Sequence, residues 1–117
     1  MTQPSATPAP INLLVTRHPA AASWLRKAIG DPDACCIDHI ESWPLRTGDR
    51  LIGVLPLQLV ARACAQGVEC WLICVDTPRH LRGRELSEQE LDQLGAKVTR
   101  VEVRLGEHWP GKATRDD

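Results

Sequence analysis

Arg17 and His18 stand side by side where an apolar run, Ile11 to Val15, stops and Pro19 follows. A guanidinium is a permanent cation whose donors match phosphate oxygens in pairs. An imidazole titrates near neutral pH and serves as general acid or base. Three readings of that junction are open: a phosphate site, a catalytic histidine or an ordinary polar loop. A second concentration lies in "DTPRHLRGREL", Asp76 to Leu86, where Arg79, His80, Arg82 and Arg84 face Asp76 and Glu85 in composition. Counting Arg17 with this loop, the four arginines exceed the two carboxylates by two, in a chain of formal net charge −1. A local positive excess of that kind favours an anionic ligand, and phosphate is the natural guest. Gly83, after Arg82, permits a positive φ or a close backbone approach. Arg79 and Arg84 taken singly read as solvated loop arginines. His39 reads as structural.

Alternating elements must position these groups. "INLLV" reads as a buried strand. Pro19 suits the first turn of a helix, where its missing N–H costs nothing. Ala21, Trp24, Leu25 and Ala28 follow at helical spacing, and Gly30, Asp31 and Pro32 stop that helix. "ACCIDHI" is a second strand, "SWPLRTGD" a turn-rich connector and "RLIGVL" a third strand. Pro56 opens a helix with Leu57, Val60, Ala61 and Cys64 on one face, ended by Gly67. "VECWLICV" is a fourth strand. Ser87 and Glu90 have capping-box spacing, with Leu86 and Leu91 at the staple positions. "KVTRVEVRL" alternates as a last, edge strand. The order β-α-β-β-α-β-α-β predicts a three-layer, Rossmann-like α/β domain with a mainly parallel sheet, in Rossmann or flavodoxin-like strand order. In such sheets ligands bind beyond the carboxyl ends of the strands, at the switch in strand order. Thr16, Arg17 and His18, then Leu55 and Pro56, then Asp76 to Glu85 fall there, and helix starts after Arg17 and Pro56 add N–H donors.

Composition narrows the classes. A chain of 117 residues makes one domain, expected over residues 11–105 between a disordered tail, 1–10, and a mobile tail, 106–117. Near-neutral charge argues against a coat for duplex nucleic acid. No apolar stretch reaches the roughly 20 residues that span a bilayer, and no secretory signal is readable at the start. A cytoplasmic protein is expected. The five cysteines are odd in number and show no CxxC pair, so they read as buried free thiols rather than a metal site. No metal and no cofactor is expected.

"TRHP" is similar to the RHG motif of histidine phosphatases, but Pro19 replaces the glycine and the partner histidine and arginines are not found. A broader resemblance comes from "LVTRHPAAASWL", "GDRLIGVLP", "LVARACAQGVECWLICVD" and "LRGRELSEQELDQLGA", taken in that order. From about Leu13 to about Val103 the chain resembles a small family of type III CRISPR accessory proteins of the Csx type. That resemblance implies a CARF-like module that binds cyclic oligoadenylate, most expectedly cyclic tetra-adenylate. It also implies a ring nuclease that linearises this messenger and switches off the defence response. The family commonly has glycine after "TRHP", where this chain has Ala20, which leaves less room for a ligand backbone.

The implied chemistry needs no added nucleophile, because each RNA linkage carries its own 2′-hydroxyl. On this reading Arg17 binds the scissile phosphate and stabilises its charge, and His18 is the general acid or base. Thr16, Pro19 and Ala20 belong to the phosphate contact at the first helix start, and Pro56 to the second. Arg82, Gly83, Arg84 and Glu85 form a lid or a second phosphate contact, with Glu85 equally able to orient an arginine. A four-fold ring suits a two-fold homodimer with the ligand across its interface. Two other classes stand beside the enzyme: a sponge or sensor that holds the ring uncut, and an interaction protein that docks on a CRISPR effector.

Overall fold

The computed structural model describes residues 10–37 and 45–110. The elements run β1 (Asn12–Val15), α1 (Pro19–Ile29), β2 (Cys35–Ile37), β3 (Arg50–Gly53), α2 (Leu57–Ala65) and β4 (Glu69–Cys74). A 3-10 turn (Arg79–Leu81), α3 (Glu88–Gln93) and β5 (Lys97–Val101) complete them. Of the expected tails, 1–10 and 106–117, residues 1–9 and 111–117 lie outside the described residues, as does His39. Among the described residues no helix is long and apolar enough to cross a membrane.

The five strands lie in the order β2-β1-β3-β4-β5, with every pair parallel except β4 with β5. The fold is therefore Rossmann-like α/β in class, and its order is the flavodoxin type, whose switch point falls between β1 and β3. β1 lies between β2 and β3 and is covered on both faces: Leu13 and Leu14, which point to opposite sides, are each fully buried. Each such leucine contributes about 1.5–3 kcal/mol of burial.

Two cores result. On one face α2 packs Leu59, Val60 and Ala63 against Leu13, Val15, Leu51 and Cys70. On the other, α1 and α3 pack Trp24, Leu25 and Leu91 against Leu14 and Ile52. Trp24 Nε1 donates to Asp92 at 2.7 Å and Lys27 Nζ to Glu88 at 2.9 Å, tying α1 to α3. Buried Asp49 accepts from the Ile11 and Arg46 amides at 3.2 and 3.0 Å, which closes the amino end of the sheet.

The helix faces differ in part from the spacing expected. Ala22, not Ala28, is buried on α1, and Ala28 is exposed. Leu57 is 65% exposed, because it is the first residue of α2 and projects beyond the strand ends, while Leu59 and Ala63 complete the buried stripe. The cysteines are all free, but only Cys70 is buried: Cys35 sits on the edge strand β2 and Cys74 at the end of β4. The last strand ends its ladder at Val101, although the alternation continues to Leu105.

Candidate functional site

Thr16 follows β1 directly, and its amide donates to Ile37 O on β2 at 3.1 Å, so it still moves with the sheet. Its hydroxyl turns inward and accepts the His18 amide at 3.1 Å. That side-chain-to-backbone bond fixes the turn in which Arg17 is thrown out to solvent. His18 has extended dihedrals and stands at the N-cap of α1, its carbonyl accepting the Ala22 amide at 3.0 Å. No side chain caps this helix and no acidic residue lies in its first turn. Pro19 has no N–H to offer. The amides of Ala20 and Ala21 therefore point out of the helix start without an intrahelical partner, under the positive end of its dipole.

The second edge of the site comes from β3. Gly53 pairs with Val15 across the parallel ladder. Its φ is 141°, and a Cβ there would lie 2.3 Å from the Val15 carbonyl oxygen. Only glycine lets the two strand ends close this tightly, with the Val54 amide donating to Val15 O at 3.1 Å. Pro56 then caps α2 with no side-chain cap hydrogen bond. Both helix starts thus lie beyond adjacent parallel strands, at the switch in strand order, with α1 on one face and α2 on the other.

The loop after β4 supplies the third edge. Glu85 Oε1 lies 3.6 Å from His18 Nδ1. The side chains are 54% and 45% exposed, so the pairing orients more than it stabilises. Nδ1 is the ring nitrogen that faces this carboxylate. Arg82 folds back on its own loop, its Nε donating to Thr77 O at 3.1 Å. Gly83 has φ 86° in open space. Arg84 forms a two-pronged pair with Glu90 and donates to Glu85 O at 3.1 Å.

Glu90 also completes the capping box of α3: its Oε1 accepts the Ser87 amide at 2.9 Å, and its own amide donates to Ser87 Oγ at 3.1 Å. The Arg84 guanidinium, then the Ser87 amide, hold the Glu90 carboxyl below its ordinary value.

The structure therefore brings Thr16, Arg17, His18 and Glu85 onto one rim with the start of α1. It commits Arg84 to α3 and Arg82 to its own loop. Two contributors escaped the sequence reading. Gly53 sits inside a strand pattern, and a glycine there is itself the sign of close backbone approach. Glu90 as partner of Arg84 is a long-side-chain contact that capping-box spacing does not encode. Among the described residues, no group of three histidine, cysteine or acidic side chains could hold a metal ion.

Residues 13–104, well over half of the chain, match the family model described as "Putative CRISPR-associated protein (Cas_VVA1548)". No curated protein matches the chain, and no solved structure does.

Proposed function

The chain belongs to this CRISPR-associated family, and on that premise we propose that it is a ring nuclease of type III CRISPR defence. It binds and linearises a cyclic oligoadenylate, with cyclic tetra-adenylate the first candidate. The observation that supports this reading is the rim where Arg17 and the open amides of Ala20 and Ala21 adjoin His18 and Glu85. A fixed cation, uncapped helix amides and an imidazole are groups that phosphodiester cleavage by an internal nucleophile can use.

The reaction balances without an external nucleophile. The 2′-oxygen bonds to phosphorus as the bond to the 5′-oxygen breaks, which leaves a 2′,3′-cyclic phosphate and a 5′-hydroxyl. One proton leaves the 2′-oxygen and one arrives at the 5′-oxygen. His18 Nε2 serves one of these transfers. Arg17 and the amides of Ala20 and Ala21 neutralise charge on the non-bridging oxygens. Holding the 2′-oxygen in line with the leaving group supplies several kcal/mol of the barrier.

The decisive assay follows cyclic tetra-adenylate by chromatography with protein below substrate, across rings of different size and with a chelator present. Multiple turnovers to linear product support the nuclease. Stoichiometric capture with the ring intact identifies a sponge instead. Failure to bind any ring removes the reading and leaves an effector-docking protein.

A further inference from the structure

Cys64 lies near the end of α2, and Cys70 is the second residue of β4. The chain between them folds back at once. Gly67, at φ 80°, donates its amide to Cys64 O at 3.1 Å, and the Val68 amide donates to Ala63 O at 2.9 Å. Both cysteines belong to the α2-side core, Cys70 fully buried and Cys64 half-buried against it. Both also line one cavity of about 900 Å³ between α2, β4 and residues 100–105. The two thiols are close enough to interact, and that contact adds to burial in keeping the Cys70 thiol protonated.

The fold places the other three cysteines out of reach of Cys70. Cys35 shares a row across the sheet with Cys70, but Leu13 and Leu51 stand between them. Three strand spacings separate the two by about 14 Å, against the roughly 7 Å that a disulfide spans between Cα atoms. Cys36 faces the opposite, α1-side core, where its Sγ donates to Thr16 O at 3.6 Å. Cys74 lies four residues along β4 from Cys70, a distance of about 13 Å. One pairing remains: a half-exposed thiol that a reagent can reach, and a buried thiol behind it.

We propose that Cys64 and Cys70 are a redox pair that closes to a disulfide on reaction with an external disulfide of the glutathione class, tying the end of α2 to β4. This goes beyond the phosphodiesterase reading and does not depend on it. Cys64, deprotonated, attacks one sulfur of the oxidant, and one glutathione leaves as thiolate and takes up a proton. Cys70 gives its proton to solvent and attacks the Cys64 sulfur, and the second glutathione leaves. Two protein thiols are oxidised, and one external disulfide is reduced to two thiols. Attack at Cys64 comes first because Cys70 has no exposed surface.

The test uses the full chain carrying Cys74→Ser, a change at an exposed strand end. The folded protein is incubated with oxidised glutathione, quenched in acid and cut after glutamate without reduction. Fragments 42–69 and 70–85 then hold Cys64 and Cys70 as their only cysteines. In the mass spectrum the two should appear joined, two hydrogens lighter than their sum. Opening the bridge should take at least about 10-fold more reduced glutathione in the folded chain than in urea, because the fold holds the sulfurs together. Fragments that stay separate, glutathione retained on Cys64, Cys64 joined to Cys35 or Cys36, or a bridge that opens equally easily in both states would each overturn the proposal.

Discussion

His18 Nδ1 lies 3.6 Å from Glu85 Oε1, and the contact joins the N-cap of the first helix to the loop that leaves the fourth strand. Under the proposed reaction Glu85 acts through His18. Glu85→Gln should lower kcat by about 10-fold with KM little changed, and His18→Ala should lower it by about 10²- to 10⁴-fold. The double variant should be no slower than His18→Ala alone, since groups acting as a unit do not add. Additive losses in single-turnover rates would separate the two residues.

Arg17 is exposed, and under the proposed reaction it binds charge rather than holding the fold. Arg17→Ala should weaken ring binding by about 10- to 100-fold, the worth of a charge-assisted hydrogen bond. Its thermal midpoint should match that of the native chain. Calorimetric titration with an uncleaved ring reads the affinity, and unchanged affinity would put the phosphate elsewhere.

Gly53→Ala should destabilise the chain by about 2 kcal/mol or more, from a strained positive φ and a Cβ driven into the Val15 carbonyl. Because the clash falls where β1 ends, ring binding should fall along with the urea midpoint. A stable Gly53→Ala with native binding would show that the strand ends part without consequence. Gly83→Ala, whose Cβ meets nothing within 4 Å, is the control for positive φ alone.

The α3 carboxylates set an acid limit. Hydrogen bonds from Lys27 first, then Ser23, lower the pKa of Glu88, and those from Arg84 first, then Ser87, lower that of Glu90, both from an ordinary 4.5. A depressed folded pKa means that the unfolded chain takes up the proton first as pH falls. Stability from these groups is present above about 4.5 and is lost below it. Urea midpoints measured down the acid range should fall, and Arg84→Ala should flatten that fall.

Cys70 sets an alkaline limit. Burial first, then the Cys64 thiol, pushes its pKa from 9.0 to about 11. The unfolded chain releases this proton earlier as pH rises, so stability should decline from about pH 9 towards 11. Cys70→Ala should remove that slope. Under native conditions a thiol reagent should label exposed Cys35 and Cys74 far faster than Cys70.

The α/β class, the order of elements and the edge position of the last strand were legible because apolar runs, Pro19, Pro56 and the Ser87–Glu90 spacing are local signals. The rim was legible only as a neighbourhood. That Thr16 spends its hydroxyl on the His18 amide is a matter of one side-chain rotamer. That Arg84 turns to Glu90 while Glu85 turns to His18 depends on how a loop folds over a helix end. Burial of Leu59 in place of Leu57 reflects where α2 starts relative to the strand ends, and periodicity alone does not fix that phase.

Arg82 holds the loop on one side of Gly83 through the Thr77 carbonyl, and Arg84 holds it on the other through Glu90. Glu88 and Asp92 of the same short helix grip Lys27 and Trp24 of α1. The third edge of the rim is thus clamped before any guest arrives, with one glycine between the clamps. A guest that docks there meets a surface already assembled, and the entropy of ordering a long loop, about 1–2 kcal/mol for each backbone residue, is not charged to its affinity. Encounter should then run at the speed of electrostatic steering, falling as salt screens the rim.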